Sequence, residues 1–169
     1  MTLVITLLAR HHDRKDFDCG EPALNIFLKN LARQQGERDF NRTYVAVAEG
    51  ESRIRGYYSV SSASIDFENW PADLHLPRYP VPAARIGRLA VDTRGQGLGV
   101  GAALMRHAMQ LATSLSRQIG LYAVIVDAKH AASAAFYARY GFQSFTDQGL
   151  SLFLPTAVIR RALLDQAAH

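Results

Sequence analysis

The chain has 169 residues, 49% of them hydrophobic and 20% charged. That length and balance describe one globular domain with its own core and exclude a disordered or fibrous chain. No apolar run reaches the roughly 20 residues of a membrane span. The single cysteine, Cys19, excludes a disulfide framework within the chain and fits a reducing cytoplasm. A formal net charge of +4 suits an anionic ligand or partner without naming one.

Leu3 to Leu8 reads as a first strand, without the positive leader and small-residue cleavage site of a signal peptide. Cys19-Gly20-Glu21-Pro22 marks a turn, and the helix after it sets Leu24, Phe27, Leu28 and Leu31 on one apolar face. Thr43–Ala48 and Ile54–Ala63 predict a hairpin around the turn residues Glu49-Gly50-Glu51-Ser52. Trp70 to Pro82 is a proline-rich loop, ordered over the surface. Arg85–Val91 is a strand. A glycine-rich turn follows, then a helix from Val100 to about Ile119 that buries Leu104, Ala108, Leu111, Ala112 and Leu115, with Gly120 at its C-terminal cap.

Leu121–Val126 has the near-continuous apolar character of a strand buried on both faces. A helix from about Ala131 to Tyr140 ends on Gly141, Phe142–Phe145 and Leu150–Leu154 return as strands, and a last helix carries Val158, Ile159, Leu163 and Leu164. Strands alternate with helices throughout, which predicts an α/β or α+β fold with a mixed sheet and a single domain over residues 1–169.

The run Arg94-Gly95-Gln96-Gly97-Leu98-Gly99 joins an apolar strand to a helix. Glycines leave main-chain N–H groups uncovered, and a helix start adds unpaired donors and a positive dipole end. Together they suit a phosphate or pyrophosphate. A tight turn that needs positive φ would use glycine as well. Arg78, Arg85, Arg88 and Arg94 crowd the approach against Asp92 alone, and Lys29, Arg33, Arg38 and Arg42 recur on and after the first helix. Either group is a solvated face or an anion-facing one. His11, His12 and His75 are too scattered for a metal site. Cys19, beside a turn glycine, reads as packing.

Leu89-Ala90-Val91-Asp92 followed by Arg-x-x-Gly-x-Gly resembles the acyl-CoA-binding motif of the GNAT N-acetyltransferase superfamily. About thirty residues on, Val126-Asp127-Ala128 and then Ala135-Phe136-Tyr137-Ala138-Arg139-Tyr140-Gly141-Phe142 resemble its second signature. The match spans roughly Arg85 to Phe142. A finer resemblance is to the GNAT toxins of bacterial toxin–antitoxin pairs, which acetylate aminoacyl-tRNA. It rests on Phe17-x-Cys19-Gly20 with Leu24-Asn25-x-Phe27-Leu28, on Gly56-Tyr57-Tyr58-Ser59, and on Pro80-Val81-Pro82 before Gly87-Arg88-Leu89-Ala90-Val91-Asp92.

The resemblance implies a GNAT fold: a mixed, mostly antiparallel sheet flanked by helices, with parallel strands splayed at the cofactor site. It implies acetyl-CoA, held by the main chain of Leu89, Ala90 and Val91 along the pantetheine arm and by Gly95, Gln96, Gly97, Leu98 and Gly99 at the pyrophosphate, with Arg94 adding charge. It places Tyr137 beside the thioester sulfur. A phenol of pKa about 10 there can give a proton to a departing thiolate of pKa about 8.5. Without the resemblance, Tyr137 reads as an amphipathic core residue.

No carboxylate announces itself as a general base, and Asp127 reads as a cap for the helix after it. An α-amino group, with a pKa near 8, needs a base far less than a lysine near 10.4 does. The expected reaction is acetylation of the α-amino group of aminoacyl-tRNA, which blocks translation. Lys29, Arg33, Arg78, Arg85 and Arg88 are candidate phosphate contacts for the acceptor stem. Trp70 and Tyr79 are either stacking platforms or loop anchors. The resemblance also implies a ribbon–helix–helix antitoxin and a homodimer. The alternatives are a GNAT enzyme acting on a small amine or a protein N-terminus, and a non-catalytic acyl-CoA-binding module.

Overall fold

The computed structural model describes residues 1–145 and 150–167. The chain forms two compact units: Met1–Ser61 with Gly87–Ala108, and Ser62–Ile86 with the residues from Met109 onward.

In the first unit β1 (Leu3–Leu7) pairs antiparallel with β2 (Arg42–Ala48), which pairs antiparallel with β3 (Gly56–Ile65). The expected hairpin is therefore present, with Gly50 at φ +80° in its turn. β4 (Val81–Val91) lies beside β3 in the strand order. The first helical segment is α1 (Pro22–Ile26), a π-helical turn (Phe27–Leu31) and α2 (Ala32–Glu37). Proline suits the first position of α1 because its missing N–H would have had no helical partner.

The π turn rotates the apolar stripe. Leu24, Phe27, Leu28 and Ala32 are buried, whereas Leu31, expected on the same face, is 39% exposed. Phe17 and Phe27 pack on the ring of Tyr57, whose hydroxyl donates to the Leu24 carbonyl at 2.8 Å. Val45, Val47, Ile54 and Ala90 complete this core.

Helix α3 (Val100–Ser116) is held to β3 at two points. A Cβ on Gly56 would stand 2.8 Å from Val100 Cγ1, 3.0 Å from the Ala90 carbonyl and 3.1 Å from Leu104 Cδ1, so only glycine lets the helix start sit this low. Two residues on, the Tyr58 hydroxyl shares a 2.7 Å hydrogen bond with His107 Nδ1, and Tyr44 stacks on Tyr58. Neither contact is visible as a pattern in the sequence.

In the second unit β4 pairs in parallel with β5 (Ala123–Asp127), from Ala83↔Ala123 to Ile86↔Val126. β5 pairs antiparallel with β7 (Ser151–Pro155), and β7 with the short β6 (Gln143–Ser144). β5 is buried from Ala123 to Val126, as its apolar run predicts. Trp70 is 3% exposed and packs edge-on to Tyr122, Phe145 and Phe153, so the proline-rich loop is anchored into the core by that ring.

The second half of α3 buries Ala112 and leaves Leu111 and Leu115 half-buried. The helix stops at Ser116, short of the expected Ile119; there the Ser116 hydroxyl turns back to the Thr113 carbonyl. α4 (Ala131–Ala138) ends before Gly141 at φ +97°. α5 (Thr156–Ala167) buries Ile159, whereas Val158 and Leu164 of the same helix are 51% and 66% exposed. Among the described residues no helix is long and apolar enough to cross a membrane.

Candidate active site

The parallel ladder of β4 ends at Ile86, but the strand runs on through Gly87, Arg88, Leu89 and Ala90 to Val91. Asp92 follows, then one 3-10 turn (Thr93–Gly95), then the exposed residues Gln96, Gly97, Leu98 and Gly99, and α3 begins at Val100. Gly97 and Gly99 take φ of +82° and +84°, a region that side chains with a Cβ rarely occupy. No atom lies within 4 Å of where either Cβ would stand. The turn therefore opens outward, and the first amides of α3 have no carbonyl of their own helix to reach. An anionic pyrophosphate fits this cradle.

The Gln96 side chain spans the turn, donating to the Val91 carbonyl at 3.3 Å. A second set with the spacing of Arg94, Gly97 and Gly99 is Gln96, Gly99 and Gly101. Gly101 lies in the first turn of α3.

Arg94 is not a loose cation at this turn. Its Nε and Nη2 bond the Asp92 carboxylate at 2.9 and 3.1 Å, and Nη2 also reaches the Asp16 carbonyl at 3.2 Å. Asp92 is 1% exposed. Burial pushes its carboxyl up, but hydrogen bonds from the Arg94 side chain and amide and from the Asp18 amide, with the Arg94 charge, outweigh that and bring it down to about 2.

Tyr137 lies on α4, 5% exposed, edge-on to Phe136 and Phe142. Burial, and behind it the charge of Asp127, pushes the phenol well above its ordinary pKa, so it stays protonated through the neutral range. Asp127 does not cap α4. Its carboxylate binds Arg85 Nη1 at 2.9 Å and the Ser151 hydroxyl at 3.2 Å, and the cap is the His130 side chain, which accepts from the Ser133 amide. The strand β5 holds Asp127 beside β7, which leaves the capping position to a residue three places on.

The acetyltransferase (GNAT) domain family matches residues 41–144, a span holding both the glycine turn and Tyr137. The chain belongs to the GNAT acetyltransferases. It is 31% identical to the probable toxin TacT of Sinorhizobium fredii, over 88% of each chain. It is 33% identical to a tRNA-acetylating toxin of Mycobacterium tuberculosis, over 84% of this chain and 85% of the relative. Among solved structures it resembles a tyrosine-to-phenylalanine variant of KacT (32% identity, 96% of this chain and 99% of the other, TM-score 0.90). It also resembles AtaT complexed with acetyl-methionyl-tRNAfMet (30% identity, 96% and 99%, TM-score 0.88). A tyrosine-to-phenylalanine variant of AtaT, bound to the C-terminus of the antitoxin AtaR and to acetyl-CoA, matches at 30% identity over 95% and 98%, TM-score 0.82.

The basic residues of this GNAT protein are less alike than their spacing suggests. In the first unit Lys29 and Arg33 share a groove with Arg14, Asn30, Gln34 and Glu37, and Arg33 pairs with Glu37 at 3.3 Å. Arg88 lies over the Phe27 ring, 3.7 Å from its centroid. In the second unit Arg85 is paired with Asp127, and Arg78 faces the Phe67 ring at 5.9 Å. Each of these arginines thus has a local partner. Of the two loop aromatics Trp70 is core, and Tyr79 is 73% exposed.

Proposed function

We propose that this GNAT acetyltransferase moves acetyl from acetyl-CoA to the α-amino group of aminoacyl-tRNA, giving a product that cannot donate its amine to a growing chain, so translation stalls. The observation that carries the reading is an open glycine turn and a buried, protonated tyrosine in a chain that follows tRNA-acetylating toxins over most of its length. The whole chain acts as one acetyltransferase domain, in the cytoplasm, as a homodimer, restrained by a ribbon–helix–helix antitoxin. The AtaT structure bound to the C-terminus of AtaR supports the antitoxin part of that statement.

Acetyl-CoA supplies the acetyl group as a thioester with a thiolate leaving group. The amides of Gln96, Gly97 and Gly99 and the start of α3 receive its pyrophosphate; those of Gly95 and Leu98, expected beside them, are instead spent within the turn, on the Asp92 carbonyl at 2.8 Å and the Gly95 carbonyl at 3.2 Å. The main chain of Leu89, Ala90 and Val91, past the end of the parallel ladder, pairs with its pantetheine arm. Tyr137 Oη holds a proton through the neutral range and gives it up as negative charge collects on sulfur. No side chain is needed as a strong base for an α-amine, whose pKa near 8 leaves a usable neutral fraction at pH 7.

Lys29, Arg33, Arg78, Arg85 and Arg88 contact phosphates of the acceptor stem, a role that requires charge and little base reading. The test is transfer of labelled acetyl to charged tRNA, to the same tRNA after deacylation, and to free amines. Label released by mild base as an N-acetyl amino acid, and absent from deacylated tRNA, is the expected result. Label on free amines alone would overturn the substrate.

A further inference from the structure

The glycine turn is tied to a distant part of the chain through one buried carboxylate. Asp92 accepts four hydrogen bonds: from the Arg94 amide and Nε at 2.9 Å each, from Arg94 Nη2 at 3.1 Å, and from the Asp18 amide at 3.1 Å. Around it Thr93 N–H donates to the Asp18 carbonyl at 2.8 Å, and Arg94 Nη2 reaches the Asp16 carbonyl. Asp18 in turn accepts from the Gly20 amide and from Asn25 Nδ2, and Asn25 Oδ1 accepts from the Cys19 amide. The segment from Asp16 to Asn25 leads into α1, and the helical segment it opens carries Lys29 and Arg33.

We infer that Asp92 and Arg94 are a positioning pair, which sets the glycine turn by stapling it to the entrance of α1, and that Arg94 acts through these bonds and not by touching the cofactor's pyrophosphate. The fork of a guanidinium is what the geometry uses. The Nε and Nη2 edge meets both carboxylate oxygens while Nη2 also reaches a main-chain carbonyl, an arrangement an ammonium cannot copy. A buried carboxylate with all its bonds made fixes its neighbours rigidly, and Asp92 is the residue at which β4 turns into the cradle. The pair therefore couples the cofactor turn to the helical segment that bears the Lys29–Arg33 groove. This rests on the turn being the acetyl-CoA site.

The test uses the full chain with Arg94→Gln, Arg94→Lys, Asp92→Asn and the double change Asp92→Asn/Arg94→Gln. Amide hydrogen exchange reads the tie without any cofactor. Faster exchange at both Asp18–Asn25 and Gly95–Ala102 in each single variant is expected; exchange unchanged at Asp18–Asn25 would overturn the staple. Acetyl-CoA titration and steady-state kinetics read its consequence. KM for acetyl-CoA rises about tenfold in each single variant, kcat at saturation is kept, and the double variant is no worse than either single.

Arg94→Lys is expected to behave like Arg94→Gln. If Arg94→Lys bound acetyl-CoA like the wild type, and Asp92→Asn left binding intact, the guanidinium would be acting as a charge on the pyrophosphate and the inference would fall. Should Asp92→Asn not fold, the half-exposed Arg94 still carries the test. Wild-type protein that bound no acetyl-CoA would refute the cofactor site, and the exchange data would still decide the staple.

Discussion

The two halves of the chemistry are built in different ways. At the turn after β4, the proposed cofactor cradle, it is the main chain that would hold the ligand, and the sequence must provide glycine where φ is +82° and +84°. On α4 the proposed acid is a single side chain, Tyr137, which the fold buries and keeps protonated. The first kind of site leaves a signature in residue type because few residues tolerate such backbone angles. The second does not, since a tyrosine in a helix before a glycine cap serves packing and chemistry equally well.

Tyr137→Phe breaks the side-chain half alone. It keeps the packing against Phe136 and Phe142 and removes the proton, so kcat should fall about a hundredfold or more while acetyl-CoA binding is unchanged. Gly99→Val breaks the main-chain half alone. A side chain at φ +84° costs roughly 1–2 kcal/mol, which should appear as an acetyl-CoA Kd raised about tenfold. Wild-type binding by that variant would mean that the turn is not the cradle.

Gly56→Ala reaches the turn from beneath, through Val100 and the Ala90 carbonyl. Overpacking of about 1–3 kcal/mol predicts a Tm lower by about 5 °C together with weaker acetyl-CoA binding, measured by thermal melts with and without the ligand.

A further effect is expected in acid. Asp92 titrates near 2 in the folded chain against an ordinary 3.8, so its stabilisation is complete above about pH 4 and is lost as pH falls through 2. Denaturant melts between pH 5 and 2.5 should show a slope that Asp92→Asn reduces. An unchanged slope would mean that the carboxylate is not held by its four hydrogen bonds.

The same contrast explains what could be read in the sequence. The hairpin, the buried strand β5 and the strand–turn–helix at residues 85–116 follow from local periodicity and glycine placement. The π turn does not, because it depends on how Phe27 and Leu28 meet Tyr57 and Val45, and so Leu31 was assigned to the wrong face. The tie of Arg94 to Asp92 is local, two residues apart, but no pattern in the sequence shows that Asp92 is buried or that the Asp16 carbonyl and the Asp18 amide, more than seventy residues away, complete the arrangement. That Asp127 serves Arg85 across the parallel pair and not α4 is equally invisible in the linear pattern. The Tyr58–His107 bond has no pattern at all. Side-chain pairing across the fold is what a linear pattern hides.

The central claim is tested most directly by acetyl transfer from labelled acetyl-CoA to a pool of charged tRNA, with wild type beside Tyr137→Phe at saturating acetyl-CoA. The account predicts label in the tRNA fraction with wild type and about a hundredth of that rate or less with the variant. Equal rates for the two proteins, or no label on tRNA from a wild type that binds acetyl-CoA, would contradict it.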